Sequence, residues 1–148
     1  MMRILLKTLT LFAVLTSLPA IAQQAQEFGD YVVHYNALSS SLLTPEVAKA
    51  YGIRRSDSRA LINISVLKNT GEQTATAVKA VVSTSGRNLT GQTRNVEMRE
   101  VDDGDGAIYY IGELSVRNME TFDFTAVVTP EGQSNPLNVK FRQQFYTE

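Results

Sequence analysis

The stretch Arg59–Asn69, RALINISVLKN, decides how the rest of the chain is read. Leu61, Ile62, Ile64, Val66 and Leu67 crowd into seven positions, and Thr70-Gly71 closes the run. β-Branched residues suit a pleated, packed surface. The pattern therefore predicts a strand buried on one face and over much of the other. The remaining strand-like segments are expected to be its partners.

Working upstream, Phe28–Asn36 reads as a strand. Tyr31, Val33 and Tyr35 share a core face, and Val32, His34 and Asn36 share a wetter one. The preceding Gln23–Gln26 reads as a loose polar segment. Ser39-Ser40-Ser41 ends the strand. Thr44 is a good N-cap, Pro45 suits the first helical position, Glu46 favours the positive end of a helix, and Gly52 accepts the left-handed C′ conformation. A two-turn helix over Pro45–Tyr51 follows, with Val47 and Tyr51 as its inward stripe. So short a helix must lie on a sheet to persist. Arg54–Arg59 is a charged loop leading into the central strand.

Downstream, Ala75–Thr84 alternates as a strand, expected to form an antiparallel hairpin with the central one. Ser85–Asn88 reads as a loop and Thr93–Val101 as a mostly solvated strand. Asp102–Gly106 is a turn, and Ile108–Leu114 a strand. Phe122, Phe124, Ala126 and Val128 alternate in another. Pro130–Pro136 is turn chemistry, and Val139, Phe141 and Phe145 mark the last strand, with Lys140, Arg142 and Gln144 facing water. About seven short strands with one short helix in the first connection predict an all-β protein: an antiparallel immunoglobulin-like or fibronectin-like β-sandwich. The chain has neither cysteine nor tryptophan, so the Cys…Trp…Cys core of antibody domains is absent.

The first 22 residues carry Arg3 and Lys7, an apolar run Leu9–Leu18, and a small-x-small site at Ala20–Ala22. This reads as a secretory signal peptide cleaved after Ala22. Its apolar core is shorter than the about 20 residues that a span requires. The mature chain, 23–148, is then a single domain of 126 residues, long enough to bury roughly two-thirds of its unfolded surface. Loss of Arg3 and Lys7 leaves 12 basic against 15 acidic residues, a formal charge of −3. That balance recommends neither nucleic acid nor an anionic membrane as partner. Without cysteine there is no disulfide and no lipid-anchor site.

Three blocks occur together: Tyr31–Leu38 (YVVHYNAL), Thr44–Lys68 (TPEVAKAYGIRRSDSRALINISVLK), and the C-terminal pattern GELSV…FDF…VTPEG…VKFRQQFYTE. In these the chain resembles the domain of unknown function 4426 family, small exported proteins of Gram-negative bacteria. The resemblance spans nearly all of the mature chain. It implies a periplasmic, single-domain protein and supplies no activity, cofactor or catalytic residue.

His34 is the only histidine, which excludes HExxH and multi-histidine metal sites within one chain. There is no GxSxG elbow and no cysteine nucleophile. His34, Tyr35 and Asn36 form a candidate polar pocket with the 39–43 loop; the bland alternative is a half-buried histidine bonded to a backbone carbonyl. Ser65–Lys68 spells S-x-x-K, but residues three apart on a strand point to opposite faces, so that chemistry is rejected. Arg54, Arg55 and Arg59 are candidates for gripping a carboxylate or another anion, against the alternative of a solvated loop. Asp102, Asp103 and Asp105 are weak calcium candidates. Their spacing departs from the EF-hand, and a tight turn, where Asp and Gly tolerate positive φ, is the favoured reading. Asn63-Ile64-Ser65 and Asn88-Leu89-Thr90 match the glycosylation acceptor, which carries no weight in a bacterial periplasm.

The expected function is a periplasmic, non-enzymatic binding module with no cofactor. Its partner is expected to be another envelope protein, met through strand edges and the long Leu38–Arg59 connection. The alternative is a small-molecule binding protein with a pocket near His34 and the 45–51 helix. Less favoured is a hydrolase built on His34 and a serine of Ser39–Ser41.

Overall fold

The computed structural model describes residues 24–148, so the signal peptide read at 1–22 lies outside the described residues. The fold is an all-β antiparallel sandwich. One sheet runs β1 (Ala25–Phe28), β2 (Tyr31–Ser39), β3 (Arg59–Lys68), β8 (Ile108–Ser115), β7 (Arg99–Asp102), with β4 (Thr76–Ala77) also on β3. The other runs β10 (Leu137–Phe145), β9 (Glu120–Pro130), β5 (Ala80–Asn88), β6 (Thr93–Val96).

The Arg59–Lys68 strand is the middle of the first sheet. β2 pairs along its whole length, from Ser39 opposite Ala60 to Tyr31 opposite Lys68. β8 pairs on its other side from Arg59 to Ile64, and β4 takes over there at Leu67 and Lys68. Ala60, Ile62, Ile64 and Val66 are wholly buried between the sheets. Each Ile or Val there stabilises the fold by about 1.5–3 kcal/mol relative to exposure. Phe122 and Phe124 face them from β9, and Phe124 stacks on Phe141 with centroids 5.1 Å apart.

The ten strands among the described residues exceed the expected seven for identifiable reasons. Gln23–Gln26 was expected to be loose; instead Ala25 and Gln26 open β1, which pairs with β2 around a turn at Gly29, φ 61°. The segment Ala75–Thr84 is not one strand hairpinned to β3. Only Thr76–Ala77 pairs with β3; the chain then crosses to the other sheet and becomes β5. Ser85–Asn88 is not a loop but the end of β5, in register with Phe122–Thr125. Gly86 belongs there because an added Cβ would stand 2.7 Å from Phe124 Cε1 and 3.2 Å from Phe122 Cδ1. Thr93–Val101 is likewise two strands: β6 lies in one sheet and β7 in the other, and Val96 is buried between them.

Tyr110 fastens one of these crossings. Its hydroxyl accepts the Ala80 N–H at 2.8 Å and donates to Glu100 Oε2 at 3.2 Å. Burial, then the Glu100 carboxylate, raise its pKa above the ordinary tyrosine value, while the Ala80 N–H acts in the opposite direction.

The first connection builds one turn of 3-10 helix at Ser40–Leu42 and then α1, Pro45–Ala50. Thr44 Oγ1 accepts the Val47 N–H at 3.3 Å, and Gly52 takes φ 65°. The helix lies on the outer face of the first sheet, as its shortness requires. Its buried residue is Ala48; Val47, expected to point inward, is 40% exposed. With only six residues, α1 tucks a small side chain over Ile53, Leu61 and Ile111 and leaves the larger ones at its rim.

Candidate functional site

Alternation along β2 and β3 decides which residues share the outer face. Ile62, Ile64 and Val66 point into the core, so Leu61, Asn63 and Ser65 point out. Register places Leu38 opposite Leu61, Asn36 opposite Asn63, and His34 opposite Ser65. The outer face therefore carries an apolar row and, beside it, a polar quartet: Asn36, Asn63, His34 and Ser65.

Tyr35 does not join them. It faces the core, where its ring stacks on Phe141 at a centroid separation of 4.6 Å. The candidate trio thus splits: His34 and Asn36 stay on one face and Tyr35 leaves it. No member of the quartet makes a side-chain hydrogen bond with another described residue. Asn63 Oδ1 and His34 Nδ1 are sealed from solvent without a partner. An unpaired buried polar atom costs about 1–3 kcal/mol, and Arg59 Nε and Glu113 Oε1 on the same face also lack a hydrogen-bond partner.

Beside the quartet, α1 and the chain after it leave a hollow of about 250 Å³. Leu43, Val47, Tyr51 and Ile53 of the connection form its roof and rim. Leu61, Ile111 and Tyr109 form the floor, with Asn63 at the margin. A second, polar recess of about 270 Å³ adjoins it across Ile53 and Ile111. There Arg59 Nε lies 3.5 Å from Glu113 Oε1, and Arg99 donates to the Tyr51 carbonyl.

The arginine candidates are dispersed. Arg59 lies on the sheet with its Nε 3.5 Å from Glu113 Oε1, an ion pair without a hydrogen bond. Arg55 turns back to the Ser41 carbonyl at 3.2 Å, and Arg54 is exposed. The serines of the 39–41 run are also engaged. Ser40 Oγ donates to the Arg54 carbonyl at 2.9 Å and accepts the Ser56 N–H at 3.0 Å, while Ser39 and Ser41 bond each other. They sit at the far end of β2 from His34, so no nucleophile and base are paired there. Asp102 Oδ1 accepts the Gly104 N–H, and Asp103 Oδ1 accepts those of Asp105 and Ala107. These carboxylates brace a turn whose glycines have φ of 80° and 87°. Among the described residues, no three His, Cys, Asp or Glu side chains are grouped to hold a metal.

The edge of β10 is guarded. Gln26 Nε2 donates to the Lys140 carbonyl at 2.9 Å, and Gln143 Nε2 to that of Gln144. Lys140 and Arg142 stand on the exposed face, an arrangement that discourages strand addition. Two more open concavities, of about 520 and 470 Å³, lie at the end of the sandwich between loop tips, and neither contains His34, Asn36 or Asn63.

Sequence reasoning missed Asn63 and Ser65. They read as the two polar interruptions of the most apolar strand, and only pairing with β2 shows that they complete a patch. The signal was present in the alternation: both fall on the face opposite Ile62, Ile64 and Val66.

The family model described as "Domain of unknown function (DUF4426)" matches residues 25–148. A DUF4426 family protein from Pseudomonas aeruginosa PAO1, known as a crystal structure, is 34% identical, with a TM-score of 0.71. The similarity covers 84% of this chain and 95% of that one. No curated protein matches the chain.

Proposed function

The chain belongs to the DUF4426 family, and from that premise we propose that it is a non-enzymatic binding module of the periplasm that docks another envelope protein on the outer face of its first sheet. The observation that carries this reading is the apolar hollow under the Leu38–Arg59 connection, directly beside polar side chains with no partner of their own. The connection is long and supplies the walls, and long connections in compact domains are often functional. The guarded β10 edge speaks against strand addition at that edge. The periplasmic assignment rests on the leader sequence and the resemblance it accompanies.

The hollow also bears on the small-molecule alternative. At about 250 Å³ it falls below the ~300 Å³ at which pockets usually enclose a whole ligand. It suits one anchoring side chain of a larger partner. The test is photo-crosslinking from position 47 in cells, with position 81, an exposed site on the other sheet, as control. One partner recurring at stoichiometric yield from position 47 and not from 81 supports the reading. The same adducts from both positions, or none from 47, would overturn it.

A further inference from the structure

The quartet and the hollow are adjacent parts of one surface, and their spacing specifies an occupant. Resting on the binding reading above, we infer that this face takes an extended, uncharged peptide segment of the partner protein. One bulky aromatic side chain fills the hollow, and neighbouring backbone amides lie on His34, Asn36, Asn63 and Ser65.

The geometry follows from the register. Adjacent strands are ~4.8 Å apart, and residues on one face of a strand recur every ~6.8 Å. The quartet therefore covers about 5 by 7 Å, room for roughly two peptide groups. The next row, Leu38 opposite Leu61, borders the hollow one repeat further on. An extended segment has this same repeat. A side chain seated in the hollow brings amides two residues away over Asn36 and Asn63.

The chemistry agrees. Asparagine and serine each offer both a donor and an acceptor, as a peptide group does, and the imidazole adds ring nitrogens beside them. The quartet holds no carboxylate, lysine or arginine; along the same face Arg59 stands against Glu113, Arg99 donates to the Tyr51 carbonyl, and Glu27 of β1 lies diagonally beside His34. This disfavours a phosphate or carboxylate and favours neutral amides. Asn63 is only half buried, and its terminal torsion is soft, so a modest turn offers either end of its amide to an incoming group. Such a group would restore the hydrogen bond that Asn63 Oδ1 lacks. Size sets the anchor. A cavity of ~150 Å³ admits benzene, so about 250 Å³ accommodates a bicyclic ring between the Tyr51 and Tyr109 walls.

The probe is N-acetyl-tryptophanamide, an indole flanked by two neutral amides. The protein has no tryptophan, so all indole emission comes from the probe. Titrated with the mature chain, the emission should shift blue and saturate with a millimolar dissociation constant. Asn63→Ala and Val47→Phe should each weaken binding by about tenfold. Zwitterionic tryptophan should bind more weakly than the amide. In parallel, amide NMR of the unsubstituted protein should show the probe shifting the Asn36 and Asn63 side-chain signals and leaving Val81 unmoved, a readout independent of how the variants fold. Absence of saturable binding, or binding indifferent to Asn63→Ala with those signals unmoved, would overturn the peptide assignment. If position 47 still captures a single partner in that event, the binding module stands and only its ligand chemistry falls. If capture also fails, both fall.

Discussion

Replacing Gly86 by alanine separates two readings of the same four residues by the sign of the effect. Were Ser85–Asn88 a loop, a glycine without positive φ would gain from alanine. The gain is about 0.4–1 kcal/mol, from reduced freedom of the unfolded chain. In the sandwich, the new methyl carbon meets Phe124 at 2.7 and 3.0 Å and Phe122 at 3.2 Å. Those rings cannot retreat freely. Phe124 is stacked between Phe122, at 5.6 Å, and Phe141, at 5.1 Å, with Phe145 edge-on at 6.3 Å. Adding a carbon to so filled a core costs about 1–3 kcal/mol. Setting the entropic gain against this leaves a net destabilisation centred on about 1.3 kcal/mol, or roughly 5 °C in Tm for a domain of this size. Thermal unfolding followed by circular dichroism, with urea titration for ΔG, measures it. A Gly86→Ala protein that melts at or above the parent would refute the packing argument and with it the placement of β5 under the phenylalanines.

Tyr110 gives a pH prediction. Its pKa is raised in the folded state, so the unfolded chain ionises first as pH climbs past about 10. Stability should therefore fall through that range until the folded pKa is reached. Tyr110→Phe should lose about 1–3 kcal/mol at neutral pH by stranding the Ala80 N–H, and should lose less than the parent on going to alkaline pH. A difference between the two proteins that stays constant from neutral to alkaline urea titrations would contradict this. Thr44→Ala removes the cap of α1 and should cost about 0.5–2 kcal/mol locally. Hydrogen exchange should quicken at Val47 and Ala48 while the β3 amides keep their protection, and uniform quickening throughout β3 would count against a separately fraying roof.

Much of this architecture was legible because packing on one face writes a period of two into the sequence. The runs Leu61–Val66 and Phe122–Val128 show it, and each proved to be a buried strand. The cap of α1 was legible because Thr44, Pro45 and Gly52 act through local backbone chemistry. The sheet crossings near Val78 and Glu97 were not, since a strand that changes partners keeps the same alternation across the change. Gly86 misled because glycine marks a turn by its freedom, whereas here its missing side chain makes room for a ring. At the candidate site, His34 and Asn36 were found as polar positions on a strand, but their grouping with Asn63 and Ser65 depends on register. That property belongs to pairs of segments and to neither segment alone.

The sheet crossings bear on the order in which the molecule can be completed. Residues 25–77 and 99–115 build one layer, and 80–96 and 120–145 build the other. The layers are interleaved along the chain, and β9, which joins β5 to β10, is the penultimate strand. Until it arrives, β5 lacks its long neighbour and the apolar inner face of the first sheet has little to close upon. A growing polypeptide of this sequence thus stays open until its last segments are made.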